Sequence, residues 1–217
     1  MFNIATTASM RGSQAPEADT APQPTAVLSG RIIAVVVVFI ALQATNSATV
    51  SIMSLFVTDR MGLDVAWAGV ALGVAAGLEI PALLLIGKLS GRVPVTRLLL
   101  SGCLAGVAYY AAMAFAAGPV LLLGLQILNA SFFAVVAGVG LTLFQDMIPR
   151  PGLAAGLYAN THRLGAVASG PLIGVGSTTA LGYGGVYLGC AVITVAAFAV
   201  LRMVPAGHSE GVRDRPD

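Results

Sequence analysis

Apolar residues fall along this chain in long runs broken by short polar turns. Six runs stand out, at 32–57, 65–87, 98–117, 119–144, 153–175 and 183–203. Each is close to or above the roughly 20 residues that a helix rising 1.5 Å per residue needs to cross a hydrocarbon core about 30 Å thick. The breaks carry turn chemistry: Thr58-Asp59-Arg60 with Gly62, Gly91 with Pro94, Gly118-Pro119, Pro149-Arg150-Pro151-Gly152, and the stretch from Gly176 to Gly182. The break at Gly118-Pro119 is tight enough that one long kinked helix is the competing reading. A helix over 98–144 is too long for a single crossing, so two are expected.

Composition agrees with the pattern. Of 217 residues 57% are hydrophobic and 9% charged, where soluble domains carry about 25% charge. So few charges cannot cover a soluble surface, which excludes an ordinary cytosolic enzyme and a nucleic-acid binder. The expected class is an all-α membrane protein of six transmembrane helices. Residues 1–30, with Pro16, Pro22 and Pro24 among small polar residues, read as a disordered cytoplasmic tail, and 206–217 as a second cytoplasmic tail. The run 32–57 is too long for the apolar core of a signal peptide. Cys103 and Cys190 each lie inside an apolar run and read as small hydrophobes, with neither a disulfide framework nor a metal site implied. No cofactor is implied either.

The placement of cations sets an orientation. Arg11, Arg31, Lys88, Arg92, Arg97, Arg150, Arg202, Arg213 and Arg215 share the side of the N-terminal tail, and Arg60 alone marks the other. Positive charge stays in the cytoplasm, so both termini are expected there.

Within the runs, Glu79 and Arg163 lie near mid-depth, where a charge costs about 2.5–3.5 kcal/mol even on mild insertion scales. A structural ion pair between helices and a site for protons or substrate both account for them. Arg202 lies close enough to an end to snorkel. His162 reads by default as a hydrogen-bonded packing residue. Gln43 and Asn46 stand at i and i+3 on the first run, and Gln126 and Asn129 repeat the spacing on the fourth. Each amide offers both donor and acceptor, which suits sugar hydroxyls and also interhelical bonding; the matched pairs favour a cavity lining. Gly69, Gly73 and Gly77 form a small-residue stripe on the second run, on a different face from Glu79. A second stripe joins Gly156, Asn160, Arg163, Val167, Gly170 and Gly174, with Pro171 breaking the backbone ladder beside it.

Several of these motifs resemble one family. Gly73-Val-Ala-Ala-Gly-Leu-Glu-Ile-Pro81 is similar to the eighth span of bacterial sugar efflux transporters of the major facilitator superfamily. Leu125-Gln-Ile-Leu-Asn129, Val136-Ala-Gly-Val-Gly140 and Phe144-Gln-Asp-Met-Ile-Pro149 resemble the tenth span and its cytoplasmic exit. Gly170-Pro171-Leu-Ile-Gly174 is similar to the antiporter motif of the fifth and eleventh spans. Gly87-Lys-Leu-Ser-Gly-Arg92, ending in Arg97, resembles the cytoplasmic loop motif, with Gly91 where an Asp is usual and Pro94 where a Gly is usual. The resemblance covers about 32–203 and matches the C-terminal half of a twelve-span transporter.

That resemblance implies the function. It puts Asn46, Gln126 and Asn129 on the central cavity, matches Glu79 to the glutamate of the family's own run, and makes Gly170, Pro171 and Gly174 a gating and packing motif. Arg163 and His162 match no family position. The residues themselves add Gln43, on the face of Asn46, to the substrate-binding set and Arg163 to Glu79 as a proton or ion-pair site. The expected activity is proton-coupled efflux of sugars or similar small neutral solutes across a bacterial cytoplasmic (inner) membrane. Partners are the bilayer, the solute, protons, and either a second copy or a separate six-span N-terminal half. Alternating access rocks two bundles about a midplane site, and facilitator halves are parallel repeats, so two copies can occupy both places. A truncated or non-transporting membrane subunit and a multidrug exporter remain as alternatives. An intramembrane hydrolase built on Ser169 and His162 fails on geometry: seven residues apart on one helix, they lie about 10.5 Å apart along its axis.

Overall fold

The computed structural model describes residues 30–203. The tails expected at 1–30 and 206–217 lie, but for Gly30, outside the described residues, as do Arg11, His208, Arg213 and Arg215. Seven helices make up the described chain: α1 (Gly30–Leu55), α2 (Ala66–Ser90), α3 (Val95–Ala114), α4 (Pro119–Gly124), α5 (Gln126–Met147), α6 (Pro151–Ser177) and α7 (Tyr183–Met203). A π-helical turn, Phe56–Arg60, extends α1. Five of these units are long and apolar enough to cross a membrane: Gly30–Arg60, Ala66–Ser90, Val95–Ala114, Pro119–Met147 and Tyr183–Met203. Helix α6 is the longest single α-helix at 27 residues, but Asn160, His162 and Arg163 dilute its apolar character.

The break at Gly118-Pro119 is a chain reversal. Gly118 takes φ +81°, a backbone that L side chains rarely adopt, and Pro119 opens α4 at its first position, where its missing N–H is no loss. Helix α3 begins and ends three residues earlier than the apolar run at 98–117. It then packs side by side with α5. Their backbones come close because Gly102 and Gly106 meet large partners: a Cβ on either would lie 2.6 Å from Val135 or from the Phe132 ring.

Leu125 interrupts the fourth run between α4 and α5. There the Gln126 side-chain Nε2 donates to the Leu122 carbonyl at 2.9 Å. In lipid a freed carbonyl needs such a partner, because no water is present to supply one.

The helices differ sharply in burial. Helices α1, α3, α5 and α7 hold the aromatic core: Phe39 stacks edge-on with Phe144, and Phe56, Tyr109, Tyr110, Phe132 and Tyr187 form a second group. Edge-to-face pairs of this kind add about 0.5–1.5 kcal/mol each beyond area burial. Helix α2 buries only Ala68, Ala71 and Ala75, a narrow stripe at helical spacing that meets α5. Helix α6 buries Ala154, Thr161, Gly165, Ser169 and Gly176, and its most extensive packing is on α1. Trp67, Leu72, Ile86 and Leu89 of α2 and Leu157, Tyr158, Leu172 and Ile173 of α6 are partly buried against the core, and the opposite side of each helix is exposed.

The α1–α6 contact tightens at Gly165, where a Cβ would lie 2.5 Å from Gln43 Cβ and 2.9 Å from the Ala44 backbone nitrogen. Backbone cannot swing aside as a flexible side chain can. Gly165→Ala is therefore expected to destabilise by about 1–3 kcal/mol through overpacking, read as a lower Tm in detergent. Gly152→Ala, whose Cβ would meet nothing within 4 Å, should leave the Tm nearly unchanged.

Candidate functional site

The four amides occupy two different environments. Gln126 is fully buried and Asn129 is 6% exposed, both inside the bundle. Asn129 Nδ2 donates to Gln126 Oε1 at 3.1 Å, while Gln126 is anchored to Leu122. Asn129 Oδ1 is buried without a hydrogen-bond partner, and the Tyr109 hydroxyl is buried beside Gln126 and Tyr187. Nearby polar groups on α1 also turn inward. The Tyr110 hydroxyl donates to Thr45 Oγ1 at 3.1 Å, and Thr49 Oγ1 donates to the Thr45 carbonyl at 3.1 Å. Cys190 Sγ lies 3.8 Å from the same carbonyl. Both cysteines are free and buried.

Gln43 and Asn46 sit elsewhere. Gln43 is 4% exposed and points toward α6, where its Oε1 lies 3.3 Å from His162 Nδ1. Asn46 is half-buried on the next turn. No hydrogen bond among the described residues joins Gln43 or Asn46 to Gln126 or Asn129.

Glu79 and Arg163 hold equivalent heights in their helices. Glu79 follows Leu78, the middle residue of Ala66–Ser90, and Arg163 precedes Leu164, the middle residue of Pro151–Ser177. Glu79 is half-exposed and Arg163 exposed. Among the described residues neither has a hydrogen-bond or ion-pair partner. The small-residue stripes have the same outlook. Gly69, Gly73 and Gly77 on α2 and Gly156, Gly170 and Gly174 on α6 are exposed, and a Cβ on any of them would meet nothing within 4 Å. Pro171 is exposed beside them. On α6 the glycine stripe and Arg163 share one open face, whereas on α2 the glycines lie on a different face from the half-exposed Glu79.

A family model described as the Major Facilitator Superfamily matches residues 6–169, well over half of the chain. The chain belongs to the Major Facilitator Superfamily. It is similar to sugar efflux transporter B of Salmonella typhimurium, with 40% identity over 132 residues, covering 60% of this chain and 34% of that one. Sugar efflux transporter A of Dickeya chrysanthemi is 36% identical over 152 residues, covering 70% of this chain and 39% of its own length. Sugar efflux transporter C of Escherichia coli is 38% identical over 133 residues, at 61% and 34% coverage. The facilitator chain thus spans 34% to 39% of the length of these curated relatives. No solved structure matches it.

Two features of the site escaped sequence reasoning. One is the contact between His162 and Gln43, residues 119 apart in sequence. The other is the inward tyrosine network, whose members look like any aromatic residue in an apolar run. A faint signal for the first lay in Gly165, the small residue one turn beyond His162 that lets α6 close on α1.

Proposed function

We propose that this chain forms one six-span bundle of a proton-coupled exporter of sugars or similar small neutral solutes. It sits in a bacterial inner membrane with both termini in the cytoplasm. In this reading α6 is the sixth crossing. At 1.5 Å per residue its length is ample, and its polar stripe faces a second bundle instead of lipid, which is why it is less apolar than its neighbours. The second bundle is another copy of the chain or a separate N-terminal half.

The observation that carries this reading is the pair of unpartnered mid-height charges, Glu79 on α2 and Arg163 on α6. Intramembrane charges mark partners or pathways, because a lone charge facing lipid is costly. The likeness to sugar efflux transporters supports the solute class. Gln43 and Asn46 remain the amides best placed to meet a solute from α1. Gln126 and Asn129, turned inward, reach it only if solute or water enters beside the unpartnered Asn129 Oδ1.

The test is flux. Proteoliposomes holding the purified chain, alone and with any six-span partner bundle, are loaded with labelled glucosides or lactose. Release faster than from empty vesicles, and faster still with an inward proton gradient, is expected. Movement of a cationic drug without movement of sugar would replace the sugar assignment with multidrug export, and no movement of either would leave a non-transporting subunit.

A further inference from the structure

We propose that Gln43 and His162 together form a solute-contacting subsite in which His162 presents a proton-dependent hydrogen-bonding face; this rests on the transport reading above. The contact joins α1 to α6 at the level where both helices are half traversed. Gln43 is at the middle of Gly30–Leu55, and His162 is two residues from the middle of Pro151–Ser177. Gln43 is almost wholly buried and is held against the Gly165 backbone, so its amide has little freedom. The His162 ring is exposed. One side of the pair is therefore fixed by packing and the other is open to whatever enters beside the bundle.

The hydrogen-bond pattern follows from the geometry. An amide oxygen only accepts, so at 3.3 Å Gln43 Oε1 selects the tautomer with the proton on His162 Nδ1. The other ring nitrogen, Nε2, is then an acceptor when the ring is neutral and a donor when it is protonated. The Nδ1–H bond to Gln43 is made in both states, so protonation changes the outward face of the ring without releasing it. The ligand class is a neutral polyhydroxyl compound whose hydroxyl donates to Nε2, with a neighbouring hydroxyl accepting from the Gln43 amide NH₂. Protonation removes the acceptor at Nε2 and so alters the binding of such a solute. No other side chain ordinarily changes charge between about pH 5 and 8.

Few other ionisable groups surround this pair. On α6 they are Arg163, adjacent to His162, and Tyr158, whose hydroxyl turns away to the Val136 and Ala137 carbonyls. Helix α1 has none between Arg31 and Asp59. Helix α5 has only Asp146, near its far end. Helix α7 has Tyr183 and Arg202 at its two ends, with Tyr187 directed to Met53 and Cys190 to Thr45. Arg163 is therefore the one charge beside the imidazole.

The chain has two histidines, so His208→Gln leaves His162 as the sole imidazole for ¹⁵N-histidine NMR of the full chain in nanodiscs. The neutral ring is expected to show the Nδ1–H tautomer, Gln43→Leu to redistribute it, and added lactose to shift the Nε2 signal in wild-type Gln43 protein. In proteoliposomes the KM for lactose is expected to change by about fivefold or more between pH 5.5 and 7.5. His162→Gln, which can keep the bond to Gln43 Oε1 but cannot titrate, should raise KM by roughly threefold at pH 7.5, the cost of one neutral hydrogen bond, and hold it flat across that range. A His162→Gln KM that still follows pH as the wild type does overturns the proposal. If the wild type moves no sugar, the transport reading fails. The subsite then stands if lactose still shifts the Nε2 signal and falls if it does not.

Discussion

Glu79→Gln is expected to leave the chain folded and inserted while reducing proton-driven solute release to the level of empty vesicles. The side chain keeps its size, and the bundle has no bond to lose, since Glu79 has no hydrogen-bond or ion-pair partner among the described residues. What disappears is a carboxylate at mid-height that can take up and give back a proton. Intramembrane acids placed in this way serve as proton relays in pumps and transporters. Solute exchange without a proton gradient should survive, because the amide and imidazole groups proposed to meet the solute are on other helices. The decisive comparison is therefore exchange against gradient-driven release in the same vesicles. If gradient-driven release in Glu79→Gln matches the wild type, Glu79 has a structural role.

Truncating either mid-height side chain to alanine is also expected to weaken association of the two bundles. If two copies assemble as a whole transporter about a two-fold axis along the membrane normal, the facilitator resemblance implies that α2 of each copy lies against α6 of its mate. Glu79 and Arg163 are level on those helices. The exposed Gly156, Gly170 and Gly174 beside Arg163 let another helix approach α6 closely, as small residues do at helix interfaces in membranes, while the α2 glycines lie on a different face from Glu79. In that arrangement the two charges neutralise each other out of contact with lipid. Truncating one partner of a buried pair costs about 3–5 kcal/mol, since the survivor is left uncompensated. Glu79→Ala and Arg163→Ala should each shift the dimer to monomer at tenfold or higher protein concentration in detergent, and the double variant should recover part of the loss. Additive losses would mean that the two residues do not meet.

How much of this was legible in the sequence depends on the residue. Long apolar runs gave away the helices because a bilayer demands them, and Gly118-Pro119 marked a reversal because that glycine backbone and that proline are both suited to a turn. The facing of each helix was harder to read. In a soluble bundle the polar side of a helix shows which way is out, but here lipid-facing and core-facing sides are both apolar, so periodicity says little. Gln43–Asn46 and Gln126–Asn129 have the same i, i+3 spacing, yet Gln43 turns toward α6 while Gln126 and Asn129 bond to each other beside Tyr109. The stripe from Gly156 to Gly174 was visible as a line of small residues. Its exposure along the whole of α6 required the fold. His162 read as a hydrogen-bonded packing residue, and only the fold shows that its partner is Gln43 on α1.

In a whole transporter built from two copies of the chain, α2 of one copy meets α6 of the other around a shared path. Cysteine cross-linking at residues 79 and 163 tests it most directly. The background replaces Cys103 and Cys190, the two free thiols, and the variants Glu79→Cys and Arg163→Cys are placed on separate, differently tagged copies expressed at native levels. The account predicts a disulfide between the two copies in the membrane, formed rapidly with a mild oxidant and lost when either cysteine is omitted. Efficient cross-linking only within a doubly substituted single chain, or none between copies, would contradict it.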